Sequence, residues 1–218
     1  MFILINDGSA SGKVTAIAMD VQFVTSTLSA DMLEAYYPRG LFPMANPGRD
    51  EITWHRPSRR AIIPLNAFHV SRSLARTLRQ GCFSVTVNED FAGVMRACAN
   101  RPGEGTWIDS RILAAYGDLH RRGKAHSVEI RVDGALAGGV YGVQIGGAFF
   151  AESKFHTVRD MSKVALAELV FRLRERGFAL LEVQYLTDHL AQFGATEIGG
   201  RQYDRELHAA LALACSFA

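Results

Sequence analysis

The amino-acid sequence predicts an α/β fold that is built around one mixed β-sheet and preceded by a small, loop-rich subdomain. After residue 69, strand-like and helix-like segments follow in the order β-α-α-β-β-β-α-β-α-β, which is typical of an α/β layout. The segment 126–155 holds three apolar runs joined by Val132-Asp133-Gly134 and Gly146-Gly147, and such turn sequences favour hairpins. Before residue 69 the apolar segments are short and are bounded by prolines.

Residues 1–62 are predicted to form the small subdomain, and residues 63–218 the main domain. Residues 1–28 show no clear hydrophobic period, and we interpret them as a flexible leader segment. Within that segment, Gly8–Lys13 superficially resembles a phosphate loop, but it lacks the full GxxxxGK[ST] spacing. We therefore assign no nucleotide-binding loop to it.

The helices are predicted from side chains that can cap a helix N-terminus and from glycines or prolines that can end a helix. In chain order they run from Ser29 to about Tyr37, before Pro38 and Gly40; from Ser71 or Ser73 to Gly81; from Asn88 through Phe91, Val94, Met95 and Cys98; from Asp109 or Ser110 to Gly123; from Asp160 to Gly177; and from about Thr187 to Phe193.

The strands are predicted from short apolar or alternating runs. They are Ile52–His55, Ala61–Pro64, Phe83–Val87, the three runs of segment 126–155, Phe178–Tyr185, and a last strand or helix pair at the C-terminus. The first two lie next to prolines and are predicted to be edge strands. Residues 101–105 are predicted to form a loop.

Composition and charge narrow the class of protein. The chain has 218 residues, of which 48% are hydrophobic and 21% charged, as in ordinary globular proteins. No apolar run reaches the roughly 18 residues that span a bilayer, and the N-terminus lacks the features of a signal peptide. The 3 cysteines form no CxxC pair, and the histidines show no metal-ligand spacing. We therefore expect a cytoplasmic protein with no metal site and no membrane contact.

A local excess of arginine contrasts with the net charge of only +2. Such a patch can neutralise nucleic-acid phosphates, but it can equally be a solvated helix face balanced by acids elsewhere in the fold. Charge alone leaves both interpretations open. The arginines concerned are Arg56, Arg59, Arg60, Arg72, Arg76 and Arg79.

Three polar residues are candidates for chemistry because they follow or interrupt apolar runs. Glu152 ends the run Ala148–Ala151, and a buried carboxylate needs a partner, which an arginine or a cationic substrate could supply. Glu182 and Gln184 alternate along one predicted strand, so they are expected to face the same side. They suit a general base or a group that orients an amine, and equally a solvated sheet face.

Aromatic side chains are the remaining candidates. They can stack on nucleic-acid bases or line a side-chain pocket, but each of them alone is more simply explained by core packing. These residues are Trp54, Trp107, Phe149, Phe150 and Phe155.

Taken together, a set of segments resembles one protein family, the leucyl/phenylalanyl-tRNA–protein transferases, over about residues 29–205. The segments occur in the order found in that family. They include Tyr37-Pro38-Arg39-Gly40-Leu41-Phe42-Pro43, His69-Val70-Ser71-Arg72-Ser73-Leu74, Thr106-Trp107-Ile108, Gly138-Gly139-Val140-Tyr141-Gly142, Phe150-Ala151-Glu152-Ser153-Lys154-Phe155 and His189-Leu190-Ala191-Gln192-Phe193-Gly194.

The resemblance implies an acyltransferase fold of the GNAT type and a reaction without a cofactor. In that reaction, Leu, Phe or Met passes from an aminoacyl-tRNA to the α-amine of a protein that begins with Arg or Lys, which creates a degradation signal. We also expect a monomer.

The resemblance further implies roles for individual residues. Gln184, helped by Glu182, would draw the proton from the attacking amine, and Glu152 would lie in the active site and suit a cationic N-terminus. The 3′-adenosine and the aminoacyl group would contact an apolar set, and arginines would bind tRNA. The apolar set comprises Trp107, Phe149, Phe155, Val140, Leu169 and Leu173, and the arginines are Arg72, Arg76 and Arg79.

Three positions depart from the family pattern. Lys154 stands where the family motif Gly-Glu-Ser-Met-Phe has a pocket methionine, Glu182 stands where an aspartate is usual, and Met44 stands where many members have an active-site tryptophan. Two other functions therefore stay open: a tRNA-binding relative with altered or lost activity, and an acetyl-CoA-dependent N-acetyltransferase. The second would need an R/QxxGxG/A loop before a helix, and none precedes Asp160.

Overall fold

In the computed structural model, the chain is described for residues 2–6, 14–18, 20–46, 48–100 and 106–218. The segment Gly8–Lys13 and the predicted loop 101–105 lie outside the described residues. The strands are β1 (Phe2–Asn6), β2 (Val14–Ala18), β3 (Val21–Thr25), β4 (Phe42–Ala45), β5 (Ile52–His55), β6 (Arg59–Ile62), β7 (Ser84–Val87), β8 (Ala125–Val132), β9 (Ala135–Ile145), β10 (Ala148–His156), β11 (Leu180–Glu182) and β12 (Thr196–Gly199).

The helices begin after β3 and continue into the C-terminal part of the chain. They are α1 (Ala30–Tyr36), α2 (Arg72–Gln80), α3 (Phe91–Ala99), α4 (Ser110–Arg121), α5 (Met161–Glu175), α6 (Asp188–Ala191) and α7 (Gly200–Leu211), and short 3₁₀ turns occupy Tyr37–Arg39 and Leu65–Ala67. No helix of the described residues is long and apolar enough to cross a membrane.

A mixed sheet of seven strands organises the molecule, and this confirms the predicted α/β class. Its order is β12-β6-β11-β10-β9-β8-β7. The strands β10 and β11 are parallel, whereas the other neighbouring pairs of this sheet are antiparallel. A second sheet of three strands has the order β3-β5-β4, and β1 pairs with β2.

The large sheet has one apolar cluster on each face. On the first face, α5 packs across β8, β9 and β10, and its side chains Val164, Leu169 and Leu173 are fully buried. On the second face lie α1, α3, α4, α7 and the three-stranded sheet. The buried side chains on this face include Trp54 from β5 and Tyr116 from α4. We call these the α5 face and the α4 face of the sheet.

Local sequence chemistry places most helix ends where the sequence predicts them. The Ser29 and Ser71 side chains accept hydrogen bonds from Met32 N and Leu74 N, and Asp109 caps α4. Helix α2 ends at Gly81, which has a φ of 61°. Both glycine-containing turns of segment 126–155 form, so the predicted three-stranded meander is confirmed.

Four local predictions are wrong. Asp160 precedes α5 but does not cap it, because its φ is 68° and its side chain makes no capping hydrogen bond. Asp90, not Asn88, caps α3, because Asn88 adopts a φ of 63° and its side chain bonds His126 and Ser127 instead. The two segments next to prolines are not edge strands, since β5 and β6 each lie between two neighbours. The strand predicted for Phe178–Tyr185 stops at Glu182.

The structure also shows how the first third of the chain joins the rest. Within the segment interpreted as a leader, β3 pairs with β5. Strand β6, at the predicted domain boundary, pairs with both β11 and β12 of the large sheet. Residues from both predicted domains can therefore meet at one place.

Candidate active site

The candidate site lies where the two parallel strands of the large sheet separate. Strands β10 and β11 are paired from Ala148 opposite Leu180 to Phe150 opposite Glu182, after which β11 ends and β10 continues. Crevices at the carboxyl ends of such strands are the usual ligand sites of open α/β sheets. Across this gap, Gln184 Nε2 donates a hydrogen bond to Glu152 Oε1 at 3.2 Å.

A β-bulge aims Glu152 into the gap. Ala151 lies opposite Gly142 and Ser153 lies opposite Tyr141, so Glu152 is the extra residue of β10. The partner strand must come close here, because a Cβ atom on Gly142 would lie 2.2 Å from the carbonyl oxygen of Phe150. The bulge therefore depends on a residue without a side chain at position 142.

Two tyrosines complete the surroundings of Glu152. Tyr37, from the 3₁₀ turn after α1, donates a hydrogen bond from Oη to Glu152 Oε1 at 2.6 Å. The Tyr116 hydroxyl, from α4, lies 2.5 Å from that of Tyr37. A buried tyrosine hydroxyl requires such a partner. The donors to Glu152 in this structure, a phenol and an amide, are thus both neutral.

The carboxyl group of Glu152 is deeply enclosed, although the residue as a whole is only part-buried. Burial raises the pKa of Glu152 to about 8, and the nearby charge of Glu182 adds to this. The hydrogen bonds from Tyr37 and Gln184 and the charge of Arg60 oppose the rise. Glu152 is therefore mainly a neutral carboxylic acid at pH 7, which avoids an uncompensated buried charge.

Gln184 is held in an uncommon backbone conformation. Its φ is 57°, in the left-handed region, and Tyr185 N donates to Val183 O at 2.8 Å to close a three-residue turn around it. Such a conformation is strained for a residue other than glycine and is often found at functional sites. The residue is 9% exposed, so its side chain has little freedom.

Glu182 does not share the environment of Gln184. Its carboxylate Oε1 lies 2.9 Å from Arg60 Nη2, and Tyr203 Oη donates to its Oε2 at 2.9 Å. Gln184 is not part of the predicted strand, because β11 ends at Glu182 and Gln184 belongs to a turn. Both side chains nevertheless lie on the α4 face, where Glu182 contacts Tyr203 and Gln184 contacts Glu152. The described hydrogen bonds join Gln184 to Glu152 and Glu182 to Tyr203.

The apolar candidate residues divide between the two faces of the sheet. The family resemblance predicts that such residues contact one aminoacyl-adenosine, but in the structure they lie on opposite faces of the large sheet. On the α5 face lie Val140, Phe149, Leu169 and Leu173, and on the α4 face lie Met44, Phe155 and the part-buried Trp107.

Lys154 and Glu152 face opposite sides of the sheet, although one residue separates them. Lys154 pairs with Val140 in the β10–β9 register, and residues directly opposite each other share a face. Val140 belongs to the α5 face, whereas Glu152 contacts Tyr37 on the α4 face. The bulge therefore separates the charge of Lys154 from the candidate acid.

A surface pocket of about 380 Å³ lies beside Trp107 on the α4 side. The Trp107 carbonyl accepts a hydrogen bond from Ala45 N at 3.2 Å, which ties the two segments that form the pocket. A volume in this range suits a small-molecule group. The pocket is lined by Ala45, Asn46, Gly48, Arg49, Asp50, Thr106 and Asp109.

The predicted arginine patch separates into two sets. Arg56, Arg59 and Arg60 form ion pairs with Asp204, Glu197 and Glu182, so this half of the patch is balanced by acids. The other half is exposed on α2 at spacings that share one helix face, and no salt bridge to it occurs within the described residues. Those arginines are Arg72, Arg76 and Arg79.

Sequence reasoning missed the roles of four residues: Tyr37, Tyr116, Arg60 and Tyr203. The tyrosines carry no local signal, because their partners lie far away along the chain. Arg60 was grouped with surface arginines, although it is only 1% exposed. An arginine followed by the apolar run Ala61-Ile62-Ile63 is the one available hint that it is buried.

Comparison with known proteins places this chain in a family. The family profile described as "Leucyl/phenylalanyl-tRNA protein transferase" matches residues 62–208. A leucyl/phenylalanyl-tRNA–protein transferase of Ruegeria sp. is 52% identical over 186 residues, covering 85% of this chain and 88% of the relative. One from Cereibacter sphaeroides is 53% identical over 192 residues, covering 88% and 89%.

A solved structure is similar in fold alone. The crystal structure of FemX matches with a TM-score of 0.51 and 13% sequence identity, covering 78% of this chain and 66% of FemX. At that identity, the likeness describes the arrangement of strands and helices and carries no assignment of substrate.

Proposed function

We propose, since this chain belongs to the leucyl/phenylalanyl-tRNA–protein transferase family, that it is an aminoacyltransferase acting on Leu-, Phe- or Met-tRNA. The acceptor would be the α-amine of a protein that begins with Arg or Lys, so the product enters a degradation route that reads N-termini. The observation that supports the proposal most is the contact of Gln184 with Glu152 in the gap between β10 and β11.

The transfer requires little covalent chemistry from the protein. The amine attacks the ester carbonyl carbon of the aminoacyl-tRNA, a C–N bond forms, the bond to the ribose oxygen breaks, and one proton moves from nitrogen to that oxygen. Holding the two reactants in place can supply most of the acceleration. Gln184 donates through Nε2 to Glu152, which leaves its Oε1 to accept an N–H of the attacking amine.

Glu152 is proposed to recognise the cationic side chain of the acceptor. At pH 7 its carboxyl group is mainly protonated, because burial raises its pKa to about 8. A cation within about 4–6 Å favours the ionised form of an acid. An Arg or Lys side chain would therefore displace the proton from Glu152 and gain a charged partner, whereas a neutral N-terminal residue would not.

The aminoacyl side chain is proposed to lie on the α5 face, where the gap between β10 and β11 opens onto apolar residues. Val140, Leu169 and Leu173 would line the pocket, and Phe149 would form its inner wall. The stem of Lys154 can run along Val140 with its ammonium group at the rim.

The 3′-adenosine is proposed to lie on the α4 side near Trp107 and the pocket beside it. Met44 and Phe155 support this region from the same cluster. Arg72, Arg76 and Arg79 on α2 are proposed to bind the phosphates of the tRNA. We propose that the protein acts as a monomer in the cytoplasm, where aminoacyl-tRNAs are found.

A peptide-labelling assay tests the proposal. The protein is incubated with radiolabelled Phe-, Leu- or Met-tRNA and a peptide that begins with Arg, and label is expected in the peptide. A peptide that begins with Glu is the acceptor control. No labelling from any of the three tRNAs would contradict the proposed activity.

The role of Gln184 is tested in the same assay. Gln184→Ala is expected to lower the transfer rate by about 100-fold, because the amine loses its acceptor, with little change in tRNA affinity. The exposed glutamine Gln192 provides the matched control, and Gln192→Ala should transfer at the wild-type rate. A Gln184→Ala variant that loses tRNA binding instead would show that the assigned role is wrong.

A further inference from the structure

We infer that Arg60 is a positioning residue for the transfer step, which holds the strained turn at Gln184 against Glu152 through Glu182 and Tyr203. The inference rests on the proposed function, in which Gln184 contacts the attacking amine. The side chain of Arg60 leaves β6 next to β11, the strand that leads directly into that turn.

The backbone of β6 already clamps the turn from one side. Ala61 N donates to Gln184 O at 3.1 Å, and Val183 N donates to Ala61 O at 2.9 Å. Ile63 N donates to Leu181 O at 2.9 Å, so the clamp runs along the whole approach to the turn. These bonds fix Gln184 only if the strand β6 itself stays in register with β11.

The side chain of Arg60 fastens the same two strands a second time. Its Nη2 atom lies 2.9 Å from Glu182 Oε1 and donates to Tyr203 Oη at 3.1 Å, while Tyr203 donates to Glu182 Oε2. The guanidinium carbon lies 4.5 Å from the centre of the Tyr203 ring and 5.3 Å from that of Phe42. The triad of Arg60, Glu182 and Tyr203 thus joins β6, β11 and α7.

Stability alone does not explain the triad, because burying its two charges costs desolvation free energy. Arg60 and Glu182 are each 1% exposed, and Arg60 Nε and Nη1 have no hydrogen-bond acceptor within the described residues. Apolar residues of similar volume often stabilise a protein at least as well as a buried ion pair does. A buried ion pair with unsatisfied donors therefore needs an explanation other than packing. Holding β6 and β11 in one relative position is such an explanation.

The triad also explains the position of Glu182 in the site. Its carboxylate is occupied by Arg60 and Tyr203, so it reaches Gln184 through the backbone of residues 182–184 rather than through a hydrogen bond to the amide. Loss of the triad should therefore change where Gln184 sits and leave the α2 arginines untouched.

The test compares Arg60→Met with Arg59→Met, its matched control on the same strand. Arg59 is exposed and pairs with Glu197 at the surface. Arg60→Met is expected to lower kcat by about 100-fold, the effect of a misplacement near 1 Å, with KM for aminoacyl-tRNA within about threefold of wild type. Arg59→Met should keep both constants, and Arg60→Lys should recover part of the lost kcat.

A second measurement reads the position of Gln184 directly. The side-chain amide signals of Gln184, assigned by their absence in Gln184→Ala, should shift in the NMR spectra of Arg60→Met and of Tyr203→Phe but not of Arg59→Met. Should Arg60→Met fail to fold, Tyr203→Phe, which removes only the bridging hydroxyl, carries the test with an expected loss of kcat of about tenfold.

The inference is overturned if these variants keep wild-type kcat, or if kcat falls while the Gln184 signals stay in place. It is also overturned if lost activity follows only a smaller folded fraction. Failure of the proposed function is a separate result, because wild-type protein would then label no peptide while the effect on the Gln184 signals could still be measured.

Discussion

The surroundings of Glu152 oppose the ionisation of its carboxyl group. Its pKa of about 8 lies above the 4.5 of an ordinary glutamate because its carboxyl group is buried among neutral donors. Between these two pH values the folded protein keeps a proton that the unfolded chain releases. The free energy of unfolding therefore falls as pH rises through this window, by about 1.4 kcal/mol per pH unit at most.

We predict that Glu152→Gln stabilises the protein at pH 8 more than at pH 5. Glutamine mimics the protonated acid and still accepts from Tyr37, but it never carries the charge whose burial destabilises the wild type. Denaturant unfolding at both pH values measures the difference, which should reach about 1–3 kcal/mol. The same variant should lose transfer to an Arg-starting peptide.

The control for this prediction is Glu197→Gln, because Glu197 pairs with Arg59 at the surface. Exposed ion pairs contribute about 0–1 kcal/mol, so this variant should lose a little stability at both pH values. An equal effect of Glu152→Gln at pH 5 and pH 8 would mean that Glu152 is already ionised in the folded protein.

At the scale of single elements, helix α2 carries the three arginines that are proposed to bind tRNA. Leu74 turns inward while Arg72, Arg76 and Arg79 stay exposed on the opposite face. We predict that changing these three arginines to glutamine weakens tRNA binding and lowers the slope of log K against log salt by about 2–3, since each phosphate contact contributes about 0.7–0.9. Filter binding over a range of salt concentrations measures the slope.

The matched control changes three other exposed arginines, Arg121, Arg201 and Arg205, to glutamine. That variant has the same net charge as the α2 variant, so an effect of overall charge would appear in both. Equal salt slopes for the two variants would show that the α2 arginines are not the tRNA-binding set. The transfer rate at saturating aminoacyl-tRNA should be unchanged in both, because neither set lies in the gap between β10 and β11.

Elements set by local chemistry could be predicted from sequence, and this accounts for most of the fold. The caps Ser29, Ser71 and Asp109 and the turns at Asp133-Gly134 and Gly146-Gly147 lie where their side chains and glycines predict. Asn88 was misassigned because an asparagine that suits a cap also suits a positive φ.

The site itself depends on features without a local signal. The bulge at Glu152 interrupts a run of small and polar residues, so no apolar alternation reveals the extra residue. The positive φ of Gln184 is imposed by the bonds from β6, and Tyr37 reaches Glu152 across 115 positions of sequence. Candidate residues could therefore be named from sequence, but their partners could not.

At the scale of the whole molecule, the site joins parts of the chain that lie far apart in the sequence. Tyr37 comes from the first third, Tyr116 from α4, and Tyr203 from α7, and a Cβ atom on Gly40 would lie 2.9 Å from the Tyr203 ring. The C-terminal residues after α7 then cross to the α5 face, where Phe217 is 1% exposed. Distant segments thus reach both faces of the large sheet, and the C-terminal one reaches the face of the proposed aminoacyl pocket.

Phe217 packs against Phe149, the residue proposed to form the inner wall of that pocket. Its ring stacks on Phe149 with centroids 5.0 Å apart, and its backbone is held by Arg172 Nε, which donates to Phe217 O at 2.6 Å, and by Gln144, whose Oε1 accepts from Phe217 N. Phe149 lies on β10, three residues before Glu152 in the sequence. A substitution at Phe217 should therefore change both the free energy of unfolding and the preference for the transferred amino acid.

We predict that Phe217→Ala lowers the free energy of unfolding by about 3–5 kcal/mol, the usual range for removing a buried phenylalanine ring. The space it leaves lets Phe149 retreat, so transfer of Phe should rise relative to transfer of Leu among the molecules that stay folded. Ser216→Ala, an exposed neighbour, is the control and should change neither quantity. Denaturant unfolding and the ratio of labelling from Phe-tRNA and Leu-tRNA measure the two effects. A destabilised variant with an unchanged ratio would place Phe149 outside the pocket, because its ring could then move without any effect on the aminoacyl group.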